Sequence, residues 1–557
     1  MLTKNQAINL AIDNVIKEGL TDIFDRPFEL DKLQDPRFRK EVFDEVSLAL
    51  NDFSLNSFKV QPLEYVVMPK RERYNFRKCA LIQPMDTIKY TAMVLLMADE
   101  IEKRRIAKSK KRVFSYRFNP HKGYLFDAKY NFSSFRSFVQ NKVKHKNTKI
   151  LVECDIANFY DRLNLHRLES ILTSIREIKP EAVRLTNELL LFWANRDSYG
   201  LPVGGNASRI LAEASLIEID NYLEAKGVNF VRFVDDYRFF AKDAITANKW
   251  LTILIEKLSQ EGFCVNSQKT IIKDVSEKNK EVVAASIEKQ SEEPASFERP
   301  DTKATEDRCI NLRTGSEYSG IVPRKFREAT EKEKAKIIEQ GKVEDIFAKV
   351  KGSIVVDPDD FKLLIKSIIY QSKYEMFKDI PKLLEKMPQF VPYTIDALIK
   401  YDSEITPSIG ASIKVGFSKW LQESEVSEYI LVSIVRLLGR ERYQDLDALF
   451  THFVNLKRNA GSYIGRVLLE SMEGKLERGK LLEIKGYYQR ANLWEKRQIT
   501  KMMHTTLHDA ESRPWLKNIE INSTDTFEKG IFKKYKDPKK KKPKSKPKPK
   551  PQTENNK

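Results

Sequence analysis

Cysteine is scarce in this chain: four residues in 557, Cys79, Cys154, Cys264 and Cys309, far apart and in no C-x-x-C or mixed Cys/His spacing. That excludes a disulfide scaffold and a zinc ribbon and makes a reducing compartment the expectation. Long apolar runs are missing as well. No stretch approaches the roughly 18 residues a membrane span needs, and Met1 to Leu10 lacks the basic-then-apolar layout of a signal peptide. The expectation is a soluble, cytoplasmic protein with no membrane partner. Glycine (20) and proline (22) are modest, so the bulk is neither collagen-like nor low-complexity. With 41% apolar and 32% charged residues the composition is globular, and at roughly 150 residues per unit the length predicts three or four domains.

The formal charge is +19, unevenly placed. From Lys533 onward twelve lysines face Asp537 and Glu554, a surplus of ten, so the body carries about half of the total. Lysine repulsion and proline predict a disordered, extended tail over 531–557. It reads equally as an electrostatic tether for nucleic acid or as a solubilising tail. Before it, residues 1–58 read as a helical extension, 59–274 as an α+β region, 275–328 as a polar linker and 329–530 as an all-α region. Within the last, Asp357 and Pro358 open a helix with Phe361, Leu364, Ile365, Ile368 and Ile369 on one face. Comparable segments begin near Val391, Ser427 and Gly461, about 34 to 36 residues apart, the scale of a two-helix repeat. A HEAT-like α-solenoid and an irregular helical bundle both fit.

Four segments in fixed order carry the chemistry. An apolar strand, Ile150-Leu151-Val152, leads to Asp155, with Phe159 and Tyr160 at the turn into a helix and Asp161 read as its cap. Gly200-Leu201-Pro202-Val203-Gly204-Gly205 is a glycine-rich turn entering a second helix. Phe230 to Val234 and Tyr237 to Phe240 flank Asp235 and Asp236, the layout of a hairpin with its acids at the turn. A helix from Trp250 to Leu258 then leads to Asn266-Ser267-Gln268-Lys269-Thr270. Carboxylates gathered at neighbouring strand ends repel one another unless a cation neutralises them, and few hard oxygen ligands suit Mg²⁺. Two such ions about 4 Å apart are the machinery of phosphoryl transfer.

This ordered set resembles the palm of reverse transcriptases over roughly residues 59–274. Met68-Pro69-Lys70, Arg77, Pro84 and Asp86 look like the fingers segment of that family. The resemblance implies catalysis by Asp155, Asp235 and Asp236, and two Mg²⁺ ions, with Mn²⁺ a substitute, on Asp155, Ile156, Asp235 and Asp236. It implies nucleotide contacts from Lys70, Arg77, Phe159, Tyr160, Val203, Gly204 and Lys269, with Tyr160 as the gate against a 2′-hydroxyl and Lys269 as a general acid. Surface solvation explains Lys70 and Arg77 equally well. Partners would be dNTPs, an RNA template or non-coding RNA and a DNA product; homo-oligomerisation stays open.

The aspartate box begins with Phe233 instead of the commoner Tyr, and no primer-grip, RNase H, HNH-like or maturase segment follows. A palm followed by a long helical region most resembles the bacterial abortive-infection and other defence-associated reverse transcriptases. The implied function is Mg²⁺-dependent, RNA-directed DNA polymerisation in antiphage defence, with template-independent or protein-primed synthesis open. The alternatives are a retron- or intron-type enzyme and a catalytically idle RNA-binding scaffold. The basic blocks Lys103 to Arg112 and Lys142 to Lys149 read either as phosphate-backbone contacts or as solvated faces, and Phe114, Tyr116 and Phe118 alternate as in a strand and read either as core or as stacking groups.

Overall fold

Aromatic and β-branched runs make strands because such side chains fit a pleated, buried surface. The computed structural model describes residues 1–21, 24–69, 76–276, 326–422, 426–456 and 463–533. Its strands are β1 (Glu64–Pro69), β2 (Phe76–Leu81), β3 (Phe118–His121), β4 (Tyr124–Phe126), β5 (Ile150–Asp155), β6 (Phe230–Phe233), β7 (Asp236–Ala241) and β8 (Ile271–Asp274). β1 pairs with β2 and β3 with β4, and an antiparallel sheet runs β6-β7-β5-β8. All four residues of β6 and the middle four of β5 are buried. Most of the expected linker and tail lies outside the described residues. Phe114 and Tyr116 do not extend β3: Tyr116 adopts φ +42°, and its ring packs on Phe126 and Phe233 as core.

Helix α1 (Lys4–Glu18) opens with a reciprocal cap between Thr3 and Gln6 and closes at Gly19, whose φ of +76° suits glycine. It lies against α2 (Pro84–Arg104), a helix buried along most of its 21 residues. Helices α3 (Phe132–Val143), α4 (Asn206–Ser215) and α5 (Ala244–Gln260) complete the α+β region; α3 packs on β6 and β7, and α5 on β5 and β7.

The helical region follows its sequence signals closely. In α6 (Pro358–Tyr370) Asp357 caps the backbone N–H groups of Asp359 and Asp360, and the five apolar residues named above are buried. Helices α7 (Val391–Lys400), α8 (Glu428–Leu438), α9 (Ile464–Met472), α10 (Leu493–Thr506) and α11 (Thr526–Phe532) each pack on the next of this series. The series then closes on the chain's beginning. Phe24 stacks on Tyr463 at 4.6 Å and Phe38 meets Phe527 edge-on at 5.4 Å. Glu29, fully buried, accepts from Arg466 at 2.7 and 3.0 Å and from Arg497 at 2.8 Å, while Arg497 also donates to Gln83 at 2.6 Å. Burial alone would raise the Glu29 carboxyl; Arg466, with Arg497 behind it, holds it down at about 2.

Because this value lies below the unfolded value of roughly 4.3, Glu29 contributes stability that is present above pH 4.3 and lost as pH falls toward 2. Glu29→Gln should take from two buried guanidinium groups the carboxylate they share, leaving Arg466 with Glu470 and Arg497 with Asp525, and cost about 3 kcal/mol at neutral pH. Urea unfolding at a series of pH values should show that cost shrinking in acid, where the wild type loses the same interaction.

Candidate active site

The register of the sheet decides where the acids sit. Asp155, the last residue of β5, faces Asp236, the first of β7. Phe233 pairs with Asp236, so Val234 and Asp235 alone make the turn between β6 and β7. The Ile156 N–H donates to the Asp235 carbonyl at 3.1 Å and fastens that turn to the exit of β5. Asp235 and Asp236 are both half-buried. Burial, reinforced by the negative charge of Asp155 and opposed by Arg77, pushes the Asp235 carboxyl up to about 7. Burial also lifts Asp236, to about 6, against the pull of Arg238.

Val234 makes this turn at φ +53°, a conformation costly for a β-branched residue. Buried polar partners hold it there. Its N–H donates to Ser115 Oγ at 2.9 Å and its carbonyl accepts from Arg232 at 3.1 Å. Arg232 is fully buried and grips Asp220 through three contacts of 2.6 to 2.9 Å. It also pairs with Glu213 at 2.9 Å, which in turn holds Arg105 at 2.6 Å and accepts from Ser115 at 2.5 Å.

Each outer carboxylate has a cation. Lys269 Nζ lies 3.1 Å from Asp155, joined by Asn266 Nδ2 at 3.4 Å, and Arg238 pairs with Asp236. Among the described residues no group of three His, Cys, Asp or Glu side chains stands close enough to hold a metal ion in this arrangement; the two ion pairs draw Asp155 and Asp236 to separate partners. The donor set nevertheless fits a divalent cation. Three carboxylates share one sheet edge, and burial raises two of them with the negative charge of Asp155 adding to it, a charge that a cation would offset. Ile156 can add only its main-chain carbonyl, its side chain being core.

The glycine-rich turn lies against the same edge. Leu201 N–H donates to the Tyr160 carbonyl at 2.9 Å, and Ala80 N–H of β2 to the Val203 carbonyl at 3.0 Å, which brings the β1–β2 hairpin, the turn and the Tyr160 segment together. Gly204 takes φ +123°, accessible to glycine. Tyr160 is half-buried, and Arg77 of β2 is near enough for its charge to act on Asp235. Lys70 lies outside the described residues.

Several expectations need correction. Phe159, expected among the nucleotide contacts, is buried, 5.4 Å from both Tyr160 and Phe263, and packs against Tyr160. Asp161 sits inside the helix Phe159–Arg162, whose cap position belongs to Asn158. Much of the basic block from Lys103 to Arg112 is spent internally: Lys103 pairs with Glu100, Lys108 with Asp127, and Lys110 and Arg112 with Glu224. In the second block Lys144, Lys146 and Lys149 are exposed. Arg232, Ser115, Glu213 and Asp220 escape a reading of the sequence; an arginine inside the run Phe230–Val234 is the one signal it offers.

Residues 101–286, which hold this edge, match the family model described as reverse transcriptase (RNA-dependent DNA polymerase). The chain carries a reverse transcriptase domain. No curated protein matches the chain. Among solved structures, telomerase from Candida tropicalis in complex with a TWJ fragment of telomeric RNA is similar at 13% identity and TM-score 0.28, over 68% of this chain and 64% of that one. The Candida albicans telomerase complex gives 13%, 0.28, 80% and 71%, and apo telomerase from Candida tropicalis 12%, 0.29, 73% and 69%. This chain thus spans less than two thirds of the first of these.

Ser115→Ala should leave the Val234 N–H unpaired in a buried turn and cost about 1–3 kcal/mol. Amide hydrogen exchange should show Val234 opening more readily, with the outer sheet partner β8 unchanged.

Proposed function

We propose that this protein is a Mg²⁺-dependent, RNA-directed DNA polymerase whose catalytic residues are Asp155, Asp235 and Asp236. The supporting observation is the pairing of Asp155 with Asp236 across two strands, with Asp235 in the intervening two-residue turn. Two Mg²⁺ ions held by Asp155, Asp235, Asp236 and the Ile156 carbonyl, with Mn²⁺ able to substitute, would supply Lewis-acid activation of a primer hydroxyl and charge stabilisation of the departing pyrophosphate. In this reading a cation held by Asp155 would take the place of the Lys269 ammonium, which would then be available to pair with the triphosphate or to protonate pyrophosphate. Arg77 and Lys70 neutralise the triphosphate, Val203 and Gly204 form the floor beneath base and sugar, and Tyr160 blocks a 2′-hydroxyl. RNA serves as template and DNA is the product.

The biological setting we propose is antiphage defence, supported by the order of parts, a reverse transcriptase domain and then a long helical region. We read that region as an α-solenoid, because α7 to α11 begin at near-regular intervals and each packs on the next.

Asp235→Asn should reduce nucleotide incorporation on a primed RNA template by about a thousandfold or more. In chelator its unfolding midpoint should be no lower than that of the wild type, since an uncharged amide removes the repulsion that raises this carboxyl. Equal activity of the two proteins would discard the assignment. Tyr160→Ala should leave dNTP incorporation measurable while lowering the preference for dNTPs over rNTPs at least about tenfold, as read from paired kcat/KM values.

A further inference from the structure

The turn that carries Val203 and Gly204 is tied down in three places. Leu201 is bonded to the Tyr160 carbonyl and the Val203 carbonyl to Ala80. The third tie comes from the far N-terminus. Asn206, the first residue of α4, donates from its side chain to Asn14 Oδ1 at 3.0 Å and to Glu18 Oε2 at 2.6 Å, both on α1. Asn14 donates to the same Glu18 oxygen at 2.6 Å and to the Gly123 carbonyl at 2.9 Å, so α1 is also fixed to the β3–β4 turn. The other face of the Asn206 amide accepts from Arg209 at 2.8 Å. Asn14, Asn206 and Arg209 are buried, where a bond to a carboxylate is stronger than one in water.

Between the second and third ties stand only Gly204 and Gly205. Gly204 has a positive φ, and a Cβ at Gly205 would meet nothing within 4 Å. Gly204 is buried, whereas Gly205 is only partly so and has open space where a side chain would sit, and glycine has the largest conformational freedom to lose. The turn's position at this point therefore draws on the Asn206 anchor together with the packing of α4, whose residues are all buried. A small, mostly polar cleft lies between α1 and the turn, with Asn14, Glu18, Thr87, Thr91, Gly204 and Asn206 in its lining and Leu20 as its one apolar side chain. Helix α1 lies outside residues 101–286 that match the family model.

We infer that Glu18, acting through Asn206, is a positioning residue for the nucleotide pocket, and that α1 is thereby a working part of the polymerase. This rests on the reading of Val203 and Gly204 as the pocket floor. The test compares wild type, Glu18→Ala and Glu18→Gln by steady-state dNTP kinetics on a primed template, by hydrogen exchange over residues 203–206, and by thermal unfolding. Glu18→Ala should raise the dNTP KM about tenfold, the loss of one charge-assisted hydrogen bond, with kcat within about twofold. It should also speed exchange at Gly204 and Gly205. Glu18→Gln, whose amide oxygen can accept the same bonds, should recover most of both. A lower unfolding midpoint in Glu18→Ala with unchanged KM and unchanged exchange would overturn the inference, as would a Gln variant no better than the Ala one. If wild type incorporated no dNTP yet the exchange pattern held, the polymerase reading would fall and the positioning of the turn would stand.

Discussion

Arg232 has no exposed surface, lies in a strand flanked by phenylalanines, and is held by both oxygens of Asp220 and by Glu213. It sits within a line of alternating charges that runs Arg117, Glu102, Arg105, Glu213, Arg232, Asp220, with adjacent members 2.6 to 2.9 Å apart. Burying ions costs several kcal/mol each unless every one is paired. Here pairing is unequal in an instructive way. Burial raises Asp220, which has one arginine, whereas two arginines outweigh burial at Glu213 and lower it. What this arrangement provides is geometry. Its last hydrogen bonds fix Ser115 and the Val234 carbonyl, and those fix a turn in which a valine occupies a conformation it disfavours. The position of Asp235 follows from that turn, so the acidic edge is set by buried charges several residues beneath it.

The edge itself is balanced in the opposite sense. Its acids gain from proximity to one another only when something positive joins them. In this arrangement lysine and arginine side chains supply the charge, one on Asp155 and one on Asp236. Such pairs are exchangeable because their cations are long, flexible and partly exposed; Lys269 in particular keeps more than half of its side-chain surface open to solvent. The rigid part of the site is thus its backbone and the buried lattice below, and the adjustable part is the charge on top.

Much of the acidic edge is legible in the amino-acid sequence alone. The ordered aspartates, the glycine-rich turn and the flanking β runs identify it because each is local: a strand, a tight turn and a cap are encoded within a dozen residues. The same holds for α6, whose cap and apolar stripe lie in thirteen residues. What cannot be read there is partnership across distance. Lys103 to Arg112 looks like a phosphate-binding block because sequence displays charge without its counter-charge, and Glu213 and Glu224 are a hundred residues away. Phe114 and Tyr116 alternate as in a strand, yet the local turn at Tyr116 sends them to the core. Asn14, Glu18 and Asn206 are ordinary residue types whose meaning exists only once α1 lies beside α4. Phe159 reads as a site residue by adjacency to Tyr160, and only burial separates the ring that is wholly packed from the one that stays half-exposed.

The ion pair between Glu29 and Arg466 joins residues 437 positions apart, and Arg497 is later still. A chain emerging from the ribosome in order therefore makes its first helices long before it makes the groups that neutralise them. Until Arg466 and Arg497 appear, Glu29 has no reason to leave water, and Phe38 still lacks the ring of Phe527. The last helices act as a completion check on the first, so a transcript cut short between residues 274 and 466 would yield the whole acidic edge in sequence yet lack the clasp that seats the N-terminal segment.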